Sequence, residues 1–351
     1  MSDRRTPRIE ERSLEELYEL ALAEGGELVL RAGGDKPDQI DGYLDPFKAR
    51  FPELRVTHSV ELSIYHAPRF DNARAAGGEK HVPDVLQLQT QHDLGYYAEH
   101  GLLEAYKPMN WDRVYPDHKD PHGRWISLYG VTFSNCYNAE LLTEEQAPRD
   151  ALDYLDPSLA GRVILTYPHS DDAVLYQFWH LEQQYGWSYL EELVATQPTW
   201  VRGTAMPYVA ISNGWYAASF TTFWPFEAVP ESPTRFALPK EDFFLTWFQG
   251  AAIPSQAKHK AAAKLYLNWM LSDEFQSTWP QFPSRFDINA PGGRMSVLHH
   301  HTSPGDFHRF NVKRATVERF RSQIEQLVGP IEGPDPSKMD YSVRPATRVE
   351  G

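Results

Sequence analysis

The 351-residue chain contains a single cysteine, Cys136, so it forms no internal disulfide and builds no metal centre from cysteine thiolates. Cys136 lies in a run of β-branched and aromatic residues. A lone cysteine in a buried strand usually packs as a small apolar side chain. The other interpretation is a cysteine nucleophile, which would need a partnered base that the sequence does not reveal.

Positive charge is scarce: 34 Lys and Arg residues face 48 Asp and Glu residues, for a net charge of −14. Nucleic acids and anionic membranes require clustered Lys and Arg, so we expect neither as a partner. No apolar run approaches the ~20 residues of a membrane span, which predicts no membrane insertion. The basic N-terminus lacks the apolar segment of a secretory signal. The chain is therefore expected to be cytosolic, or else to begin after a removed signal, and the compartment stays open.

Apolar patterning alternates strands with helices. A capping box from Ser13 to Glu16 begins the first helix, and strands are predicted at residues 27–32, 55–61 and 83–88 with helices between them. This rhythm is typical of parallel βαβ units, and it returns between residues 162 and 248. Length and pattern together indicate an α/β protein with two lobes. The tail from Gly329 is predicted to be an extended arm or disordered.

Between the two series runs the segment 125–138, which is interrupted by Gly130. An isolated glycine in a strand marks a bulge, a bend or a close backbone approach, although a strand can also simply tolerate one. We interpret the segment as a strand that leaves one lobe and enters the other, with Gly130 as a candidate hinge. Tyr129 and Thr132 would then lie on the floor of a cleft. The interpretation fails if residues 128–135 do not pass between two lobes.

Several segments in order resemble the extracellular solute-binding proteins of ABC importers, and in particular the branch that binds ferric iron, thiamine and phosphonates. Together they cover roughly residues 12–280 and are more specific for fold than for ligand. The segments that carry the resemblance are Glu24–Leu30, Asp84–Gln89 with Ala98–Pro108, Tyr137–Asn138 with Ala147–Pro148 and Leu155–Gly161, and Ala261–Ser272 with Phe275–Gln276.

The resemblance implies an α/β type II periplasmic-binding fold, with two lobes, two crossing segments and a central cleft that closes by hinge motion. Lobe 1 would comprise residues 1–130 and 247–351, and lobe 2 residues 131–246. It also implies a monomer without cofactor or catalytic residues. A small molecule would be its ligand and an ABC permease its partner.

Loops that follow the strand carboxyl ends face the ligand in open α/β sheets. In lobe 1, the residues after the first two strands are candidates for ligand contact. The alternative at Asp35 is a plain strand–helix turn, and the alternative after the second strand is a solvated helix edge. The Gly33-Gly34-Asp35 stretch lacks the spacing of a dinucleotide-binding motif. The lobe 1 candidates for ligand binding are Gly34, Asp35, Glu61, Tyr65, Gln89, Thr90 and Tyr129.

The lobe 2 candidates follow three further strands: His169, Ser170, Arg202, Thr204, Thr222, Phe223 and Trp224. Ser170 precedes two aspartates, which favours a self-capped helix over an anion site there. Arg202 with its following backbone N–H groups is the more plausible anion cradle. The iron-binding branch would place two adjacent tyrosines where Phe223 and Trp224 stand. Neither side chain ligates Fe³⁺, so the pair favours stacking on an organic ligand, or else packing between lobes.

His299, His300 and His301, with His308, are not expected to form a metal site, because consecutive histidines do not converge on one ion. The sequence thus favours a non-catalytic receptor for a small organic solute, with a cationic or heteroaromatic part. The alternatives are a ferric-iron-binding protein, a scaffold that has lost its ligand, or an enzyme. Thiamine-degrading and pyrimidine-forming enzymes share the fold. A thiaminase-like nucleophile would have to be Cys136, and the cysteine-rich motif of the pyrimidine synthases is absent.

Overall fold

The structure is a computed structural model that describes residues 7–76, 82–294 and 296–345. The first basic residues, which entered the expectation about a signal, and the last six residues of the tail lie outside the described ranges. Among the described residues, no helix combines the length and the apolar character needed to cross a bilayer.

The strands are β1 Glu27–Gly33, β2 Arg55–Glu61, β3 Val85–Leu88, β4 Ile126–Phe133, β5 Asn135–Asn138, β6 Ile164–Thr166, β7 Thr199–Val201, β8 Ala218–Ser219, β9 Thr234–Ala237 and β10 Leu245–Ala252. The helices are α1 Leu14–Ala23, α2 Asp41–Arg50, α3 Ser63–Ala75, α4 Gln91–Glu99, α5 Asp172–Tyr185, α6 Trp187–Ala195, α7 Ala205–Ser212, α8 Lys260–Met270, α9 Asp273–Gln276, α10 Pro304–Asn311 and α11 Arg314–Val328. The predicted alternation is confirmed, although β9 was not predicted.

Residue contacts divide the chain into two compact units. Unit 1 comprises Met1–Gly130 and Phe248–Ser296, and unit 2 comprises Val131–Trp247 and Val297–Gly351. Two of the boundaries fall inside β4 and β10, so the run that contains Gly130 does join the two units. The two units and the two crossing strands agree with what the resemblance implied, and the chain passes from unit 1 to unit 2 once more, after Ser296.

Unit 1 is built on a five-stranded sheet in the order β2-β1-β3-β10-β4. β1 pairs in parallel with β2 and β3, whereas β10 runs antiparallel to β3. Helix α1 begins as predicted, because Ser13 Oγ accepts from the Glu16 N–H at 3.2 Å and Glu16 Oε2 accepts from the Ser13 N–H at 2.7 Å. The parallel strands bring their carboxyl ends to one edge of the sheet.

Gly130 is explained by close packing. A Cβ atom there would lie 2.9 Å from the Phe282 carbonyl oxygen and 3.2 Å from the Phe248 ring. The Gly130 N–H also donates to that carbonyl at 2.9 Å, so the two backbones are in direct contact. Of the alternatives for this glycine, close backbone approach is correct, and its function as a hinge stays a prediction.

Unit 2 contains a three-stranded sheet, β8-β5-β9, and a parallel pair, β6-β7. The last two helices contribute to its core, in contrast to the sequence-based assignment of residues 297–351 to lobe 1. Apolar residues of α10 and α11 pack in the same cluster as those of α5. The C-terminal helices therefore belong to unit 2. The shared residues are Tyr176 and Phe178 of α5, Phe307 and Phe310 of α10, and Val317, Phe320, Ile324 and Val328 of α11.

Candidate functional site

The carboxyl ends of β1, β2 and β3 are tied together in unit 1. Gly33 lies opposite Glu61 in the parallel register. Ser63, the first residue of α3, accepts a hydrogen bond on its hydroxyl from the Gln89 N–H at 3.0 Å. A Cβ atom at Gly33 would lie only 2.0 Å from that hydroxyl, so only glycine fits. Three of the predicted loops therefore meet at one edge.

Gly34 is tightly packed at this edge. Its N–H donates to the Glu61 carbonyl at 2.9 Å, and a Cβ atom would lie 2.7 Å from the Val60 side chain. The N–H group is therefore engaged by the sheet, and ligand binding by Gly34 stays a prediction. Asp35 is only 3 % exposed, and its own N–H donates to Gln39 Oε1 at 2.6 Å. Asp35 thus belongs to a turn that precedes α2 and is stabilised by the side chain of Gln39.

Glu61 forms part of a polar wall. Its carboxylate pairs with the Arg69 guanidinium at 2.7 Å, and Tyr65 lies half-buried in the first turns of α3 between these two residues in sequence. Glu61 and Arg69 line a cavity of about 130 Å³ together with Arg31 and His66. Burial lowers the pKa of His66, whose Nε2 lies 2.8 Å from the Ala32 carbonyl, so the neutral imidazole donates there.

Thr90 is a candidate whose buried side chain carries an unsatisfied polar group. The side chain is 1 % exposed, and its hydroxyl has no hydrogen-bond partner among the described residues. A buried hydroxyl without a partner costs about 1–3 kcal/mol, and such groups recur at binding sites. Gln89 beside it is half-buried at the end of β3. Gln89 and Thr90 remain candidates for ligand contact.

Tyr129 is buried in unit 1. It is 5 % exposed and belongs to a buried network whose centre is Gln87. The Gln87 amide donates to Tyr43 at 2.6 Å and to Tyr129 at 3.0 Å, and its oxygen accepts from Tyr266 at 2.7 Å. Tyr129 is thus part of the core of unit 1, and its place on a cleft floor stays a prediction.

In unit 2, a group of threonines joins the ends of β6, β7 and β8. The Thr166 hydroxyl donates to the Gly203 carbonyl at 2.8 Å, and the Thr166 N–H donates to the Thr221 hydroxyl at 2.8 Å. The Thr222 hydroxyl donates to the Thr204 carbonyl at 2.6 Å. The structure therefore brings the candidates Thr204 and Thr222 together, beside Arg202. The Thr222 hydroxyl proton is already committed to the backbone.

Arg202 faces an acidic residue that the sequence analysis missed. Its guanidinium lies 3.7 Å from a carboxylate oxygen of Asp335, in the C-terminal segment. Both side chains are partly buried, at 20 % and 26 % exposure. The contact fits the expectation that this guanidinium suits an anion. No sequence signal connects two residues so far apart in the chain.

Phe223 and Trp224 pack in different directions. Phe223 lies against the cluster that includes α5, whereas Trp224 lies against the cluster that includes Cys136 and Tyr216. Trp224 also contacts the Tyr208 ring, with 5.8 Å between centroids. Each ring is half-buried, so part of each stays accessible. Packing within unit 2 and ligand contact are both compatible with these positions.

His169 and Ser170 are covered by α11. The Arg321 guanidinium donates to the His169 carbonyl at 2.7 Å and pairs with Asp172, which is also 3.2 Å from Arg314. The Ser170 hydroxyl donates to the Tyr167 carbonyl at 2.8 Å. Burial lowers the pKa of His169. Ligand binding by both residues stays a prediction, and the C-terminal helix packed at this turn was assigned to the other lobe from the sequence.

The self-capped helix at this position is confirmed. Asp171 accepts from the Ala173 and Val174 N–H groups at 2.8 and 3.0 Å. The positive end of α5 is therefore already occupied by a carboxylate, which disfavours an anionic ligand there.

Cys136 is fully buried, and burial raises the pKa of its thiol. It packs with Ile164 and Val201, as expected of an apolar side chain. A thiolate is the nucleophilic form of cysteine, so this environment does not suit catalysis. Within the described ranges, no three or more His, Cys, Asp or Glu residues are placed to hold a metal ion together. The expectation that His299–His301 bind none stays a prediction.

The sequence profile of a family described as bacterial extracellular solute-binding protein matches residues 80–291. The chain belongs to this family. No curated protein matches the sequence of this solute-binding protein. The family contains binding proteins, which agrees with the non-enzyme expectation without excluding an activity.

Solved structures agree on the fold. The substrate-binding protein of an ABC transporter from Agrobacterium tumefaciens gives a TM-score of 0.72 at 16% identity, over 86% of this chain and 94% of that one. AfuA from Actinobacillus pleuropneumoniae, with fructose-6-phosphate bound, gives 0.69 at 18%, over 87% and 99%. Iron-bound HitA from Pseudomonas aeruginosa gives 0.65 at 19%, over 85% and 99%. The type II periplasmic-binding fold is confirmed; at such identities the likeness shows the fold alone.

Proposed function

We propose that this solute-binding protein captures a small organic molecule and delivers it to an ABC permease. The observation that carries the proposal is the accessible part of Phe223 and Trp224, beside Arg202 and the threonine group of unit 2. Aromatic faces bind apolar or π-rich parts of organic solutes, and a few polar groups fix their orientation. In unit 1, Gln89 and Thr90 are further candidates for ligand contact. Capture by hinge closure remains an expectation from the resemblance.

Ferric iron is the second candidate, because HitA is iron-bound. Fe³⁺ prefers hard oxygen donors such as phenolates and carboxylates. Phe223 and Trp224 offer none, and Tyr43 and Tyr129 of unit 1 are held neutral in the Gln87 network. Burial raises the pKa of Tyr43 to about 12, with hydrogen bonds opposing that shift only in part. The donor chemistry therefore favours an organic ligand over iron.

A ligand screen by thermal shift tests the proposal. The panel contains sugar phosphates, thiamine derivatives, phosphonates, amino acids, polyamines and Fe³⁺. A ligand at about 100 times its Kd stabilises the folded state by about 2.7 kcal/mol. For a chain of this size we expect that to raise Tm by several degrees. A response to Fe³⁺ alone would support the iron-binding alternative, and no response from the whole panel would contradict the receptor proposal.

Aromatic substitutions locate the contact once an organic ligand is found. Phe223→Ala and Trp224→Ala are each expected to weaken its affinity by about ten- to hundredfold, because each removes a stacking face. Phe286→Ala removes an aromatic ring that is 50 % exposed in unit 1 and serves as the control. Calorimetric titration measures the three constants. Equal affinities in all three variants would show that Phe223 and Trp224 do not contact the ligand.

A further inference from the structure

The C-terminal arm, residues 329–345, lies on unit 2 next to the predicted ligand residues. It contains a short helical turn, Pro336–Lys338, which Asp335 caps, and a second turn that begins at Asp340. Asp335 Oδ1 accepts from the Ser337 N–H at 3.0 Å and from the Ser337 hydroxyl at 2.7 Å. These bonds engage one carboxylate oxygen and leave the other directed at Arg202. The arm is thus ordered locally around Asp335.

Apolar and aromatic contacts hold the rest of the arm. Met339 and Tyr341 pack against the buried cluster that includes Tyr216, as Trp224 also does. The Tyr216 hydroxyl donates to the Pro345 carbonyl at 2.9 Å, and the Arg344 guanidinium lies 5.1 Å from the centre of the Tyr216 ring. The arm therefore contacts one predicted ligand residue, Arg202, and packs on the same apolar cluster as another, Trp224.

The contact with Arg202 is electrostatic. Partial burial acts to raise the pKa of Asp335, but the bonds from Ser337 and the charge of Arg202 outweigh it and hold that pKa below its ordinary value. Asp335 is thus a carboxylate at neutral pH. At 3.7 Å, between two partly exposed side chains, the ion pair is of the weak kind that single substitutions or competing ions disrupt. A ligand oxyanion that forms two parallel hydrogen bonds to the guanidinium would bind it more strongly.

We propose that the arm is a displaceable cover, in which Asp335 occupies Arg202 until an anionic group of the ligand, a phosphate or carboxylate, takes its place. The identity of that ligand rests on the proposed function. The exchange replaces one anion by another on the same guanidinium, so it is reversible and needs little net free energy. Ligand affinity is reduced by the fraction of molecules in which the arm is docked.

Hydrogen exchange of the arm amides in the full chain tests the proposal. Asp335→Asn and Arg202→Gln are each expected to speed exchange across residues 336–345 by about three- to tenfold, since each removes one half of a weak ion pair. Arg319→Gln is the control, because it removes one positive charge from an exposed position on α11. It should leave arm exchange unchanged.

Inorganic phosphate is the probe for displacement, compared with sodium chloride at equal ionic strength. Phosphate should speed arm exchange in the wild type and in Arg319→Gln but not in Arg202→Gln. The proposal is overturned if Asp335→Asn leaves arm exchange at the wild-type rate, if phosphate has no effect on the wild type, or if its effect persists in Arg202→Gln. Because no organic solute is used, failure of the ligand screen and failure of this proposal are separate results.

Discussion

Two buried polar side chains, Gln87 in unit 1 and Asp172 in unit 2, each lie at the centre of several partners and differ in charge. In unit 1, Gln87 is fully buried and satisfies three tyrosine hydroxyls with neutral hydrogen bonds. In unit 2, Asp172 is 2 % exposed and pairs with Arg314 and Arg321 of α11. The neutral centre joins β3 to residues of α2, β4 and α8, whereas the charged centre joins α5 to the C-terminal helix.

This difference explains what holds the C-terminal helix in unit 2. A buried carboxylate is costly unless opposite charges compensate it, and here both compensating charges lie on α11. Detachment of α11 would leave Asp172 without them. Gln87 carries no charge, so its contribution to the stability of unit 1 depends on the number of tyrosine hydroxyls that its amide binds. The predictions below separate these two designs.

The largest effect is expected for Gln87→Ala in unit 1. The change removes the amide partner of three buried tyrosine hydroxyls, although Tyr43 and Tyr129 keep a contact of 3.3 Å with each other, and it opens a cavity. We expect a loss of about 4 kcal/mol in the free energy of unfolding, measured in urea. Gln89→Ala, two residues along and half-buried, is the control and should cost below about 1 kcal/mol. Similar losses in the two variants would contradict the special position of Gln87.

Asp172→Asn should cost about 3 kcal/mol, because Asn keeps the shape but leaves two arginines facing a neutral group. Glu318→Gln is the matched control. Glu318 pairs with the same two arginines, at 2.7 and 3.2 Å, but is 55 % exposed. It should change the free energy of unfolding by less than about 1 kcal/mol. If Glu318→Gln proves as damaging as Asp172→Asn, burial is not what distinguishes Asp172.

Alkaline pH should weaken the neutral centre specifically. Burial raises the pKa of Tyr43 to about 12, whereas an unfolded tyrosine titrates near 10. Between these values the folded state retains a proton that the unfolded chain has released, so stability falls as pH rises. The contribution is fully present below about pH 10, is lost as pH rises through about 12, and amounts to at most about 2.7 kcal/mol.

Urea unfolding at about pH 9 and about pH 11 measures this dependence. Tyr43→Phe should flatten it, although Tyr129 and Tyr266 keep part of the slope because burial raises their pKa values as well. Tyr96→Phe, at a side chain that is 53 % exposed, should leave the slope as it is. A slope that responds equally to both substitutions would contradict the assignment to the buried network.

Local patterns in the sequence predicted what local physics decides. The capping box at Ser13 and the self-capped start of α5 each depend on residues close together in the chain. The burial of Cys136 was predicted from the composition of its own strand. The ends of β1, β2 and β3 were predicted to meet because parallel strands share an edge. These features could be derived because local composition, or a general rule for parallel sheets, contains their cause.

The features that the sequence did not predict are contacts between distant segments. Alternation along β4 does not reveal that Tyr129 points at an amide from β3. The apolar faces of α10 and α11 require a partner, but nothing in their sequence says which lobe supplies it. The meeting of Arg202 with Asp335 joins loops more than a hundred residues apart. Each depends on tertiary packing that a single sequence does not encode in a readable pattern.

The placement of β10 between β3 and β4 has a consequence for synthesis of the chain. A ribosome releases β3 and β4 long before β10, so the sheet of unit 1 cannot reach its final strand order until residue 252 has emerged. Unit 2 waits longer, because its core includes Val328. The nascent chain must therefore hold two incomplete cores at once, and unit 1 is the first that can close.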